Sequence, residues 1–440
     1  MKRSMYTMSF LLIGSGFSLL QAQTRNDSLP SEATLQNCVQ YALVHQPIAR
    51  QSEIDEEITE SQIKGRLADW YPQVNFNYSL QHNFQLQKIV FNGQTIQSGT
   101  KNVSAGQFTL DQTLFNRDVL LASRTAKTVR TQAKQNTASN RIDIAANVSK
   151  AFFDVLLTSQ QIRLVDEDIV RLERSYKDAY NQYQGGVVDK TDYKRASIAL
   201  NNAKAQKKSG EEQLKAKYAS LKLEMGYPDS LQLKLHYDSV QLANEVFFDT
   251  LQTVRYDQRI EYQLLQTQRQ LQEAQVKYSK WSFIPEVSAF ADYNANYLDN
   301  RFSKLYGDNL PNSYAGVSLK FPIFQGGKRT QEIKQAKLQL QRVDWDIQNL
   351  KNNVNTQYVA ALSAYKSNLS DYNILKDNLD LAQEVYNTIN LQYRSGVKAY
   401  IEVVNAETDL RTAQVNYTNA LYQVLSSKID VQKALGTINP

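Results

Sequence analysis

Two stretches of this chain, residues 107–184 and 328–395, contain neither glycine nor proline. At ordinary usage of roughly 12% for the pair, each window should hold about eight or nine. The exclusion of helix breakers is explained by the apolar spacing. Ile144, Val148, Ala151, Val155, Thr158, Ile162, Val165, Ile169, Leu172, Tyr176, Ala179 and Tyr183 advance by alternating steps of four and three. Tyr372, Leu375, Leu379, Ala382, Tyr386, Ile389 and Tyr393 follow the same rule. A 3.5-residue period draws a narrow seam along a helix, and such a seam requires a partner helix.

The partners follow in sequence. Beyond Gly396 come Val403, Ala406, Leu410, Ala413, Tyr417, Ala420 and Val424, and beyond Gly186 come Tyr193, Ala196, Leu200 and Ala203. Each glycine-containing turn therefore joins two antiparallel helices into a hairpin. The hairpins are copies of one another. Tyr183-Gln184-Gly185-Gly186-Val187 returns as Tyr393-Arg394-Ser395-Gly396-Val397, and Gly226 returns as Gly436. Upstream, Trp70 and Pro72 answer Trp281 and Pro285, so the duplication spans the chain. At 1.5 Å per residue a helix over residues 117–183 is about 100 Å long. Return helices at about 190–226 and 399–436 cover part of that length. Further helical segments at about 251–282 and 34–69, the latter bent at Pro47, are placed to complete the two columns. Between them, Leu231, Leu233, Leu235 and Tyr237 alternate like a short strand.

The remaining segments alternate with period two. Val74, Phe76, Tyr78, Leu80, Phe84 and Leu86 share one face, with His82 the exception, and Gln73, Asn75, Asn77, Ser79 and Gln81 share the other. The turn Asn92-Gly93 predicts a hairpin whose second strand runs to about Phe115. Val287 through Tyr297 and Ala315 through Ile323 alternate likewise. One face suits lipid and the other suits water. A soluble sheet lying on a core would show the same alternation, but no amphipathic helix is left over to cover this one. Four strands leave two open edges, which a bilayer does not tolerate, so closure needs further copies of the chain. Two copies give eight strands and a barrel filled by side chains; three give twelve and room for water.

Composition sets the remaining bounds. Lys2 and Arg3, the apolar stretch Met8 to Leu20 and Leu20-Gln21-Ala22 predict a signal peptide over residues 1–22. The residue after it is Gln23 and not a cysteine, so no lipid anchor is expected. No run of about 20 apolar residues remains, so any crossing of a membrane uses strands. The formal net charge of +6 falls when Lys2 and Arg3 leave, too weak a balance to argue for nucleic acid. Cys38, the one cysteine, falls within an apolar helical pattern and reads as a packed thiol. His45, His82 and His236 lie in different elements, and no metal or cofactor site is expected. Asp166-Glu167-Asp168, beside Arg163 and Arg171, reads as a solvated, salt-bridged face. No catalytic constellation is present, and the chain reads as no enzyme.

These features together resemble the outer-membrane efflux (TolC-type) channel family. The resemblance is carried by Leu35, Cys38, Tyr41-Ala42-Leu43 and Pro47, by Phe321-Pro322-Ile323-Phe324-Gln325-Gly326-Gly327, and by the two Tyr-x-x-Gly-Val tips. It implies an α+β membrane protein, internally duplicated, with a long antiparallel coiled-coil helical barrel continuing from a transmembrane β-barrel. Four strands per chain give twelve in a homotrimer, with a small equatorial α/β region. The first repeat is then 23–227, the equatorial linker 228–250 and the second repeat 251–440. Such a protein is the exit duct of a tripartite efflux or type I secretion system in the outer membrane of a Gram-negative bacterium, with a large periplasmic portion. Its partners are outer-membrane lipid, a periplasmic adaptor (membrane fusion) protein and an inner-membrane RND or ABC transporter. Carried over by motif position, Glu402 and Asn405 face the pore constriction. The family tends to place carboxylates at both, so Asn405 leaves one acidic ring. Thr191 and Asp192 with Tyr393 and Lys398 correspond to a closing network, in which Lys398 stands where the family often has Arg and lacks its bidentate fork. Gly185, Gly186, Val187, Ser395, Gly396 and Val397 form the adaptor-contact tips. The competing reading is a secreted or envelope coiled-coil structural protein or adhesin.

Overall fold

The computed structural model describes residues 33–438 apart from Asn92, Val188 and Asp238. The signal segment 1–22 and the first half of the Asn92-Gly93 turn lie outside the described residues. The chain runs α1 (Leu35–His45), α2 (Pro47–Ala68), β1 (Gln73–His82), β2 (Gln87–Phe91), β3 (Gln94–Ser98) and β4 (Asn102–Phe115). Then follow α3 (Arg117–Gln184), α4 (Lys190–Met225), α5 (Ser239–Glu245), α6 (Ile260–Lys280), β5 (Glu286–Asp299), β6 (Asn312–Lys320), α7 (Lys328–Arg394) and α8 (Tyr400–Leu435).

The two breaker-free windows fold into helices of 68 and 67 residues. Asn116 starts α3 by accepting a hydrogen bond from the Asp118 amide at 2.6 Å. The return helices α4 and α8 each have 36 residues and end at Gly226 and Gly436, both left-handed, with φ of 66° and 74°. The segment expected as one bent helix is two helices. Pro47 opens α2, and the Gln46 side chain accepts from the amides of Ile48 at 2.5 Å and Ala49 at 3.2 Å. The helices pack as a row. Below the sheet the order is α2, α3, α6, α7; farther down it is α4, α3, α8, α7.

Strand order is β1-β4-β5-β6, antiparallel throughout, with β1 and β6 as the free edges. Register places Val74, Phe76, Tyr78 and Leu80 opposite Leu110, Phe108, Gly106 and Ser104. The same face continues through Ala291, Tyr293, Ala295 and Tyr297 to Ala315, Val317 and Leu319. The opposite face carries Asn75, Asn77, Gln107, Asp292 and Asn294, with Gln107 donating to Asp292 at 3.1 Å. The apolar face is open, Val74 being 68% and Val317 67% exposed.

The first hairpin departs from the expected pair of long strands. β1 stops at His82, β4 starts at Asn102, and β2 and β3 form a separate two-stranded ribbon. The cause is the one polar residue in the apolar alternation. The His82 ring bonds Asn102 Oδ1 at 2.6 Å, and the Asn83 amide donates to the Lys101 carbonyl at 2.6 Å. Phe84 consequently leaves the sheet and is 94% exposed. The strand expected at Leu231–Tyr237 is reduced to a single parallel bridge between Ala33 and Leu235. The helix expected from about 251 begins at Ile260, after a 3-10 turn at Tyr256–Gln258. Arg259 fixes that start: it donates to the carbonyls of Ala434 at 2.6 Å and Lys433 at 3.2 Å, and pairs with Glu261 at 2.8 Å.

The core lies where α1, α3, α4, α5, α7 and α8 meet. Phe152, Leu156, Leu221, Met225, Tyr365, Val424 and Leu425 are buried there. Cys38 is part of it, and burial pushes its thiol up to about 12. Tyr365 donates to the Val246 carbonyl at 2.9 Å.

Candidate functional site at the hairpin tips

The two hairpins end in the same backbone device. At the first, Gly186 (φ 71°) donates to the Tyr183 carbonyl at 3.0 Å and Val187 to that of Gln182 at 2.9 Å. At the second, Gly396 (φ 76°) donates to Tyr393 at 2.9 Å and Val397 to Gln392 at 2.9 Å. This pattern satisfies the last carbonyls of a helix and requires a residue that tolerates positive φ. Gly185, Gly186, Val187, Ser395, Gly396 and Val397 are all exposed. Val187 and Val397 thus stand out from the tips as apolar groups in water.

Glu402 lies in the first turn of α8, where the helix dipole favours a carboxylate. Glu402 and Asn405, three residues apart, are exposed together, while Val403 and Ala406 turn inward and are buried. Thr191 is exposed and Asp192 half-buried at the start of α4. Among the described residues, neither Asp192 nor Lys398 forms an ion pair. Tyr393 is half-buried, and its hydroxyl receives a hydrogen bond from Gln182 of the other tip at 3.4 Å. Gln182 is a residue that sequence reasoning does not single out.

Behind the tips lies a cleft of about 490 Å³, lined by α3, α4 and α8. Asp168, Arg171, Asp192, Arg195, Glu407 and Arg411 supply its charges. Here the expected solvated face is corrected, because Asp168 is only 6% exposed. Arg171 donates to its Oδ1, and Arg411 Nε lies 3.4 Å from its Oδ2. Burial still holds the Asp168 carboxyl above the usual range, outweighing both arginines. Glu407 is half-buried, its carboxyl also raised by burial. Arg411 further donates to Gln206 at 2.5 Å, tying α8 to α4. The signal for this cluster is present in the sequence. Leu164, Asp168 and Arg171 step by four and three, a second stripe beside the Val165 seam. Because α3 packs against α4 on one side and α8 on the other, both stripes are covered.

Comparison with known proteins gives one answer. The family described as "Outer membrane efflux protein" matches residues 38–226 and 261–437. The chain is 21% identical to the outer membrane protein TolC of Escherichia coli (strain K12), over 98% of this chain and 86% of that protein. It is 23% identical to the antibiotic efflux pump outer membrane protein ArpC of Pseudomonas putida, over 92% of this chain and 83% of that protein. Among solved structures, the open state of the Neisseria gonorrhoeae MtrE outer membrane channel superposes with a TM-score of 0.73 at 19% identity, covering 91% of this chain and 88% of that one.

Proposed function

The chain belongs to the outer membrane efflux protein family, and from that premise we propose that three copies of it build one duct, twelve strands above and a helical tube below. It is an outer-membrane protein and the exit duct of an efflux or secretion system. What supports closure by further copies is a match between two orders. The strands run β1-β4-β5-β6 and the helices beneath them run α2-α3-α6-α7. β1 directly follows α2, α3 follows β4, β5 follows α6, and α7 follows β6. Each strand therefore continues its own helix, and both layers are open on the same two flanks. A sheet edge is not stable in hydrocarbon, so the β6 flank of one chain meets the β1 flank of the next. This is a head-to-tail contact, which generates a ring when the rotation closes. Eight strands would fill with side chains, whereas twelve leave a wet lumen lined by Asn75, Asn77, Gln107 and Asn294.

In this reading residues 1–22 direct export, 23–227 and 251–440 are the two repeats, and 228–250 is the linker between them. The hairpins extend the lumen into the periplasm and their tips narrow it. Glu402 then forms a ring of three carboxylates at the constriction, with Asn405 a neutral ring one turn on. Thr191, Asp192, Tyr393 and Lys398 hold the tips together across the narrowed end, and the Gln182–Tyr393 bond joins the two hairpins within a chain. Gly185, Gly186, Val187, Ser395, Gly396 and Val397 form the surface offered to a periplasmic adaptor serving an inner-membrane transporter. A carboxylate ring favours cations and is blocked by multivalent ones. In planar bilayers Glu402→Ala is expected to lower cation selectivity and to weaken block by trivalent cations severalfold. Unchanged selectivity and block would remove Glu402 from the pore.

A further inference from the structure

At the end of the sheet away from the helices, the segment between β5 and β6 does not extend into solvent. It folds back onto the apolar face. The Tyr306 hydroxyl lies 2.9 Å from that of Tyr78 on β1 and 3.4 Å from Ser104 Oγ on β4, and its ring packs on Tyr297 of β5 at 5.2 Å. Tyr78, Ser104 and Tyr297 all project from the lipid-facing side. Leu305 is 1% exposed, and the polar Asn102 and Ser104 beneath are also buried. The Leu310 amide returns to the Asn296 carbonyl at 2.8 Å, and the Lys101 amide donates to Asn300 Oδ1 at 3.0 Å, so the two loops of this end are tied together. The segment is a fixed collar on the outside of the strands.

The collar carries unneutralised positive charge. Lys101, Arg301 and Lys304 are exposed, and among the described residues none of them forms an ion pair. No carboxylate occurs in the sequence between Asn83 and Leu110. Asp299 is engaged by the Arg301 amide at 2.6 Å, leaving Asp308 as the other acid of the collar. Phe302 and Tyr306 stand exposed beside the cations, as aromatic rings do at the level where hydrocarbon gives way to head groups. Lys101, on the alternation that carries Gln107, does not share the outer face; Arg301 and Lys304 belong to the segment that lies on it, just above the apolar belt, and so face lipid phosphates. On the outer side of an outer membrane that lipid is a phosphorylated glycolipid. We propose that Arg301 and Lys304 form a binding site for the phosphates of the outer-leaflet glycolipid, with Phe302 and Tyr306 against its acyl–sugar boundary. The proposal rests on the outer-membrane channel reading.

The test uses the purified channel in detergent, titrated with lipid A bearing two phosphates, with the same lipid dephosphorylated, and with phosphatidylglycerol, complexes being counted by native mass spectrometry. The intact channel is expected to bind the bisphosphorylated lipid about tenfold more tightly than either of the others. The double variant Arg301→Gln, Lys304→Gln is expected to lose that preference while its conductance in planar bilayers stays unchanged. Equal binding of the phosphorylated and dephosphorylated lipids would overturn the site. Equal binding of phosphatidylglycerol would overturn its assignment to glycolipid, and full preference in the variant would overturn the assigned cations. Absence of conductance in the intact protein would instead remove the channel reading beneath it.

Discussion

Glu407 shows how burial, outweighing the nearby Arg171 charge, sets the behaviour of one side chain. A carboxyl whose pKa is higher folded than unfolded holds its proton more tightly in the folded state. That contribution to stability is full below the unfolded pKa and is lost as pH rises through the raised folded value. Glu407 is shifted in this direction by burial, so its ionised form weighs against the packing of α8 at neutral pH. Glu407→Gln is expected to raise the unfolding temperature by about 1 °C at pH 7.5 and to match the parent near pH 4. A variant less stable at pH 7.5, measured by circular dichroism, would show that the charge is used. Two glycines give a second contrast. Gly226 and Gly396 are both left-handed, at φ of 66° and 76°. A Cβ on Gly396 meets open space, whereas one on Gly226 would lie 2.7 Å from the His45 carbonyl oxygen and 2.8 Å from Gln46 Cα. Gly396→Ala should cost only the backbone strain, about 1 kcal/mol. Gly226→Ala must also push α4 away from the α1–α2 junction and should cost severalfold more in thermal melts. Equal costs would mean that the junction yields.

The long helices are legible because nothing in them competes with the pattern: residues 107–184 lack breakers, and the seam of Ile144 through Tyr183 has one meaning. Where sequence reading falls short, a single tertiary contact decides a boundary. The β1 strand ends at His82 because a polar ring on the apolar face finds Asn102 across the pair. The start of α6 is moved to Ile260 by Arg259, whose partners lie at the far end of the chain in α8. The burial of Asp168 escapes notice because the Val165 seam looks like the one covered stripe, on a helix that is packed on two sides. The tip turns can be placed from spacing alone and Glu402 is singled out only by the family resemblance, whereas Gln182 is reached by neither, since its partner Tyr393 belongs to the other hairpin. Arg259, at 4% exposed, caps two C-terminal carbonyls of α8. Because the Lys433 carbonyl keeps the Gly436 amide at 3.1 Å, Arg259→Gln should leave the Ala434 carbonyl unsatisfied, cost about 2 kcal/mol and speed hydrogen exchange over residues 430–436 while the rest of α8 is unchanged. Unaltered exchange there would mean that water replaces the cap.

The whole molecule is a half-open object whose surface says where it continues. Leu338, Trp345, Val359, Ile374 and Leu381 are exposed along α7, spaced by multiples of seven or one residue more, with Trp345 at 73%. A seam of that period looks for another helix. Within the chain α7 already has α6 and α8 on its inner side, so the stripe faces outward on the same flank as the free edge β6. The opposite flank offers Ile48, Ile54 and Ile58 on α2 and Ile198 and Leu223 on α4, all exposed. At about 1.5–3 kcal/mol for each large apolar side chain removed from water, the five residues of α7 supply on the order of 10 kcal/mol per contact. In the ring proposed above, strand pairing alone would hold the copies only at the membrane and the helical tube below would splay; the stripe would keep that tube closed along its length. The double variant Trp345→Asp, Leu381→Asp should therefore sediment as a monomer or a loosened oligomer in detergent. Its helix content should match the parent, because the seams between α3 and α4 and between α7 and α8 lie within one chain. A trimer of undiminished stability would mean that the ring is held by the strands alone, and that the α7 stripe faces a partner of a different kind.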